Sequence, residues 1–457
     1  MASPTLERRL GPGDAAAIVV SNVIGSGILI TPAFIALSVP NAWAMMGVWA
    51  VGGVLAFAGA MAYAELAALR PRAGGEYVYL REAFGPLAAF LTGWTSFVAG
   101  FSGAIAASAV GLANYLGRFV PAAGDTTPLI SVPIGPLALD VSRQSIVALT
   151  AVVVLSWVHI RGLGPGRVVQ NVLAVGKVVT LLGFVALGLS IGRGDASHFA
   201  SGSTVAFRGW LLALIPVMFS YSGWNAAAYV AEEIRDPARN VPRALALGTA
   251  TVVCVYLALN AAYIYALPMS ELAGSEVRVI DAAADRLFGV GAGDALALIT
   301  VFIVAGSISA MVLAGPRVYF AMARDGLFLE SAAHVHPRFR TPAVAIFAQG
   351  VWSSVLILSG TFGQLVDYTG FAVVLFAGIA VTGLFVLRRR EPGAARPFRA
   401  WGYPVAPAVF VLASFAIVLN ALVSSPGPSA AGLAIIGLGV PVYFVLRRMR
   451  SGSSENH

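Results

Sequence analysis

The chain has 457 residues, 58% of them apolar and only 11% charged, with a mean hydropathy of +0.83. Water alone cannot solvate such a surface, so the balance excludes a soluble globular domain and marks an integral membrane protein. The net charge of +8 calls for no nucleic acid partner, because a basic inner face against anionic lipid accounts for it.

Twelve apolar runs are long enough for a hydrocarbon core of about 30 Å. Span 1, residues 14–38, is too long for a signal peptide and ends in no small-residue cleavage site, so it is expected to remain in the mature protein. It is interrupted at Ser21-Asn22-Val23-Ile24-Gly25-Ser26-Gly27-Ile28, where two glycines and two serines replace good helix formers. Spans 2, 3 and 4 cover 43–69, 86–117 and 144–160. Span 5, 166–192, carries Lys177 near its middle, where a lysine costs about 2.5–3.5 kcal/mol on translocon scales. That cost implies a partner; the other reading is a side chain snorkelling to an interface, for which mid-span is a poor position.

Span 6, 209–231, is interrupted in its turn by Phe219-Ser220-Tyr221-Ser222-Gly223-Trp224-Asn225. Span 7, 244–266, holds the single cysteine, Cys254, expected as a small packing residue. One thiol excludes both a disulfide framework and a thiolate metal cluster. Spans 8 to 12 follow at 294–323, 343–359, 365–387, 404–424 and 430–446. The five histidines are scattered without metal-ligand spacing, and no cofactor is implied.

Of the 29 lysines and arginines, 22 lie on the face shared by both termini, 6 on the other, and Lys177 lies within a span. Cytoplasmic loops hold the excess of basic residues, so both termini are expected in the cytoplasm and the chain in the plasma membrane. Glu65, Glu232, Glu233 and Arg317 fall near cytoplasmic span ends and are expected as ion pairs of an inner gate or of the scaffold. No carboxylate pair, His cluster or nucleophile with its base stands near the bilayer, so an enzyme is not expected. Short extramembrane termini also weigh against a carrier-like sensor with a signalling domain.

The interruptions of spans 1 and 6 stand five spans apart. Five is odd, so if spans 1–5 and 6–10 repeat one unit, the second enters the membrane inverted. Paired interrupted helices at matching positions of two halves are the pointer to a central site in secondary transporters. Where a helix stops in mid-bilayer its free N–H and C=O groups are costly, and a ligand can supply their partners. The N–H groups of Gly25, Ser26, Gly27 and Ile28, at the positive end of a second half-helix, suit a carboxylate. The carbonyls of Val23, Phe219 and Ser222 suit an ammonium group. Together they describe a site for an α-amino acid zwitterion. The competing reading makes Gly-Ser-Gly a small-residue packing patch; the matching break in span 6 favours the site.

The span 1 segment SNVIGSGILITP (21–32) resembles the GSGI signature of the amino acid-polyamine-organocation superfamily, and more closely that of its L-amino acid transporter family. The resemblance extends to YAELAALRPRAGGEYVYLREAFG (63–85), FSYSGWNAAAYVAEEIRDPARNVPRA (219–244), GPRVYFAMARDGLF (315–328) and RPFRAWGYPVAPAVF (396–410), and so covers nearly the whole chain. It implies an all-α integral membrane fold of twelve transmembrane helices: a LeuT-type 5+5 inverted repeat plus two additional helices, with spans 1 and 6 discontinuous. The corresponding divisions are an N-terminus at 1–13, a first repeat at 14–192, an inverted repeat at 207–390, two further spans at 403–449 and a tail at 450–457.

The resemblance also implies roles. The substrate carboxylate would sit on the backbone of Gly25, Ser26 and Gly27, and its amine on the carbonyls of Val23, Phe219 and Ser222. Phe219 would gate the site from outside, while Ser220, Trp224 and Asn225 line or brace it. Lys177 would take the place of the sodium ion of sodium-coupled relatives, contacting span 1 carbonyls and Ser307, so that transport is sodium-independent. The implied function is an alternating-access amino acid exchanger; a proton-coupled symporter and a cationic amino acid or polyamine carrier stay open beside it. Neutral substrates are expected because no acidic residue stands near the breaks in the sequence. Animal relatives link an accessory glycoprotein through a cysteine between spans 3 and 4. Residues 118–143 contain none, so no disulfide-linked accessory subunit is expected and the bacterial type is the closer resemblance.

Overall fold

The structure is a computed structural model that describes residues 6–134, 137–200, 202–275, 279–360 and 362–454. Residues 1–5 of the expected N-terminus and 455–457 of the tail lie outside the described residues. Among the described residues, nine helices are long and apolar enough to cross a membrane, and ten if the bent pair of span 1 counts as one. Two shorter apolar helices join them: α9 (Phe207–Ser220) and α15 (Ala343–Leu358).

Helix α1 (Pro12–Val23) starts on Pro12, which lacks an N–H that would have no partner there, and the Asp14 carboxylate accepts from the Gly11 N–H at 2.8 Å. It stops at Val23, and α2 (Ser26–Ser38) departs at 43°. Helix α3 (Ala42–Leu69) is capped by Asn41, whose side chain accepts from the Ala44 N–H at 3.0 Å. A short helix, α4 (Glu76–Phe84), leads into one long span built from α5 (Pro86–Thr95), a π-turn at Ser96–Gly100 and α6 (Phe101–Leu116).

The all-α expectation meets one exception here. Between α6 and α7 (Arg143–Ile160), an antiparallel hairpin pairs β1 (Pro128–Ile134) with β2 (Leu137–Ser142). Pro128 and Pro133 oppose a helix, while Ile130, Val132, Leu139 and Val141 favour extended backbone. The Ser142 hydroxyl then accepts from the Ser145 N–H at 3.1 Å and starts α7.

Helix α8 (Leu163–Ser190) shows how the environment sorts side chains. Val168, Val172, Val175 and Val179 are exposed at helical spacing and form a lipid face, whereas Gln170, Ala174, Lys177 and Leu181 are buried. Lys177 therefore points into the protein, and the snorkelling reading is removed.

After α9 come the four-residue α10 (Ala226–Tyr229) and a 3₁₀ turn at Ala231–Glu233. Helix α11 (Pro237–Ala266) packs against α1 and α3 and buries a stripe that includes Val252, Val255, Tyr256 and Leu259. Cys254 lies off that stripe and is exposed, so the expectation of a packing cysteine is corrected. Short α12 (Met269–Gly274) and α13 (Val279–Phe288) precede α14 (Ala292–Arg324), the most buried span. Helices α16 (Phe362–Arg390), α17 (Val405–Ser424) and α18 (Pro426–Ser454) complete the chain.

Candidate functional site

The two interruptions meet in space. Gly25 and Gly27 carry no side chain because neighbours occupy the place of one. A Cβ on Gly25 would stand 2.8 Å from Ser307 Oγ, and one on Gly27 would stand 3.0 Å from Ser220 Cα. Gly223, at φ +97°, has its carbonyl within 3.4 Å of Asn22 Nδ2 in the other break. Ser220 Oγ donates to Thr31 Oγ1 at 2.8 Å, tying α9 to α2. The glycines thus admit the close packing of one reading, and they do so around exposed helix ends.

The N-terminus of α2 has no side-chain cap, since Gly25 occupies the cap position. The first N–H groups of a helix have no intrahelical acceptor, so those from Ser26 to Ile28 face the break with a positive dipole end behind them. That arrangement suits an anionic group.

The carbonyl ends are held differently. Lys177 Nζ, on a residue only 2% exposed, donates to Ser21 O at 2.8 Å and Ile24 O at 2.6 Å. Gly306 leaves room for its stem, since a Cβ there would lie 2.7 Å from Lys177 Cε. Ser307, expected as a further contact of Lys177, makes no hydrogen bond to it among the described residues; its hydroxyl packs against Gly25. The Tyr256 hydroxyl lies 2.8 Å from Val23 O and 3.0 Å from Ser220 O, between the last residues of α1 and α9. Phe219 O accepts from the Ser222 N–H at 2.9 Å. A carbonyl oxygen has two lone pairs, so these bonds leave each acceptor with further capacity.

Phe219 and Ser222 are half-buried at the break, while Trp224 and Asn225 are buried. Trp224 packs edge-on between Tyr63, at 4.9 Å between ring centres, and Phe410, at 5.7 Å. Asn225 Nδ2 donates to the Tyr229 hydroxyl at 3.0 Å and lies 3.5 Å from Glu76 Oε2. That last contact corrects the expectation that no acidic residue lies near the breaks: Glu76 is remote in sequence and is delivered by α4.

At the end where α1 begins, ion pairs cross-link the elements. Arg317 of α14 grips Glu233 with two bonds of 2.7 and 3.0 Å, both residues fully buried. The Glu233 carbonyl accepts from the Arg9 and Leu10 N–H groups at 3.0 Å each, which pins the start of α1. Arg324 pairs with Glu232, and Arg388 and Arg396 both reach Glu65. No group of acidic, His or Cys side chains among the described residues could hold a metal ion.

Sequence reasoning missed Tyr256, Glu76, Tyr63 and Tyr229. A tyrosine inside an apolar run carries no distinguishing signal. Glu76 was visible within GGEYVY, as an acidic residue between two spans.

The sequence profile described as amino acid permease matches residues 10–445. The serine/threonine exchanger SteT of Bacillus subtilis (strain 168) is 29% identical over 457 residues, covering 98% of both chains. The human large neutral amino acids transporter small subunit 2 is 29% identical over 449 residues, covering 96% of this chain and 80% of the relative. The mouse b(0,+)-type amino acid transporter 1 is 28% identical over 427 residues, covering 92% of this chain and 84% of its own. With a profile match that leaves out only the chain's ends, this protein belongs to the amino acid permease family.

Proposed function

We propose that the protein is a sodium-independent exchanger of neutral L-amino acids in the plasma membrane, working by alternating access around a site between the two helix breaks. The observation that carries this reading is the convergence of two severed spans: uncapped N–H groups at 25–28 begin α2, and carbonyls at the ends of α1 and α9 are held by Lys177 and Tyr256. An α-amino acid presents the two charges that such a site complements. The printed functions of the relatives, a serine/threonine exchanger and a large neutral amino acids transporter, support the same class.

In this reading, Gly25, Ser26 and Gly27 receive the carboxylate, and Val23, Phe219 and Ser222 receive the amine. Phe219 closes the site from outside, and Ser220, Trp224 and Asn225 shape its wall. Lys177 supplies a fixed cation where a mobile one would otherwise be needed. Twelve spans in a LeuT-type arrangement fit the proposal, with repeats at 14–192 and 207–390, both termini cytoplasmic, and no disulfide-linked subunit.

The test is uptake of labelled amino acids into proteoliposomes, with and without unlabelled amino acid inside. Strong stimulation by internal substrate, unchanged when sodium is replaced by choline, supports the reading; uptake that requires sodium or ignores internal substrate overturns it.

A further inference from the structure

Glu76 opens α4, outside the apolar spans, yet it is only 8% exposed. Its Oε2 accepts from the Tyr63 hydroxyl at 2.7 Å and lies 3.5 Å from Asn225 Nδ2. Tyr229 in turn accepts from Asn225 Nδ2 at 3.0 Å. A continuous hydrogen-bond chain therefore runs from a buried carboxyl to the residue that ends the span 6 break.

The titratable groups turned toward Glu76 are Tyr63 of α3, Tyr79 of its own helix and Tyr229 of α10. Span 3 presents Thr92, Thr95 and Ser96, and α16 presents Ala372, Val373 and Phe376. The arginines of the surrounding elements pair elsewhere: Arg317 with Glu233, Arg388 with Glu65, and Arg81 with Asp325. Burial without a counter-cation raises the carboxyl above its ordinary value, and the hydrogen bond from Tyr63 opposes that only in part. Span 3, α16 and Glu76 together line a small, partly open pocket with room for a water molecule, and the buried Thr92 hydroxyl on its wall has no partner among the described residues.

We propose that Glu76 is a proton-binding site linked to the span 6 break, so that amino acid exchange depends on whether this carboxyl holds a proton. The inference rests on the carrier reading above. In the ionised state the Tyr63 hydroxyl donates to the carboxylate and Asn225 Nδ2 faces it, while Asn225 also donates to the Tyr229 oxygen. A proton adds to one carboxyl oxygen, no bond is broken, and the neutral acid is easier to bury. The acid becomes a donor, directed toward the pocket where Thr92 offers an acceptor, and one acceptor position of the carboxylate is lost. The contacts of Tyr63 and Asn225 with the carboxyl lose their charge assistance and lengthen, which shifts Asn225. Asn225 follows Trp224 and lies two residues from Gly223, whose carbonyl accepts from Asn22 of the span 1 break. The proton thus acts on the geometry of both breaks.

The experiment measures exchange by the full chain in proteoliposomes from pH 4.5 to 8.5, with equal pH on both sides. Wild type is expected to change its rate at least threefold, with a midpoint above the ordinary glutamate value of about 4.3. Glu76→Gln, fixed in the neutral form, is expected to lose that midpoint. Tyr63→Phe removes a donor to the charged form and is expected to move it up by about one unit. A flat wild-type profile, an unchanged midpoint in Glu76→Gln or an unshifted one in Tyr63→Phe each overturns the proposal. Where Glu76→Gln does not fold, Tyr63→Phe decides. The protonated-carboxyl band in difference infrared spectra, titrated in detergent, reads the same site without transport. A wild type that shows the band but no exchange at any pH refutes the carrier reading and the proposed coupling, while a wild type without the band refutes the proton site alone.

Discussion

The Tyr256 hydroxyl stands 2.8 Å from the Val23 carbonyl, while its second neighbour, the carbonyl of Ser220, lies 3.0 Å away. One hydroxyl has one hydrogen, so the two carbonyls share it. The last residues of two severed helices, 197 positions apart in the chain, are thereby joined through a side chain of a third.

Removing that hydroxyl tests whether the junction matters. Tyr256→Phe keeps the ring that packs against Trp49 at 5.6 Å and leaves the two carbonyls with one donor fewer. Loss of a buried hydrogen bond costs about 1–3 kcal/mol, so exchange is expected to fall about tenfold or more. Unchanged uptake and unchanged thermal stability in detergent would show that the junction carries no load.

Lys177 is expected to be irreplaceable by an apolar side chain of similar length. Lys177→Met leaves Ser21 O and Ile24 O without their donor, and transport is expected to fall about a hundredfold while protein still reaches the membrane. Gly306→Ala makes the complementary test by crowding the lysine stem, with a smaller loss of the same kind. Both are read as initial uptake rates normalised to protein in the vesicle.

The two glycines of span 1 separate by severity. A methyl at Gly27 meets the Ser220 backbone, which yields only if α2 and α9 part, so Gly27→Ala is expected to lower both stability and exchange strongly. At Gly25 the nearest atom is the Ser307 hydroxyl, which can rotate away or be removed. Gly25→Ala is expected to be milder, and adding Ser307→Ala is expected to restore part of its activity but none of that lost in Gly27→Ala.

The Arg317–Glu233 pair is buried on both sides, so deleting one partner leaves an uncompensated charge. Either Arg317→Met or Glu233→Gln is expected to destabilise the protein by about 3–5 kcal/mol, and the double replacement Arg317→Met/Glu233→Gln by less than the sum. Thermal unfolding in detergent measures all three; additive losses would count against a coupled pair.

Much of this protein is legible before folding. Membrane insertion imposes span length, because backbone in hydrocarbon must satisfy itself within a helix, and the apolar runs at 43–69 and 86–117 mark α3 and the long span Pro86–Leu116 almost to the residue. The breaks at 21–28 and 219–225 are equally visible, since glycine and polar residues there contradict the helix around them. Lys177 announces itself by its desolvation cost.

Tertiary structure alone decided what those signals touch. Which face of α8 turns inward, and so which carbonyls Lys177 reaches, depends on packing against α1 and α14. Cys254 illustrates the converse: its position in span 7 was plain, its exposure was not. Tyr256 and Glu76 acquire their meaning only from neighbours brought from elsewhere in the chain, 233 residues away for Val23 and 149 for Asn225. The sequence by itself determined where the backbone leaves the helix, because helix propensity and the absence of water are local constraints. It could not determine what satisfies the backbone there, because hydrogen bonds between spans depend on how helices rotate and pack, which no single segment encodes.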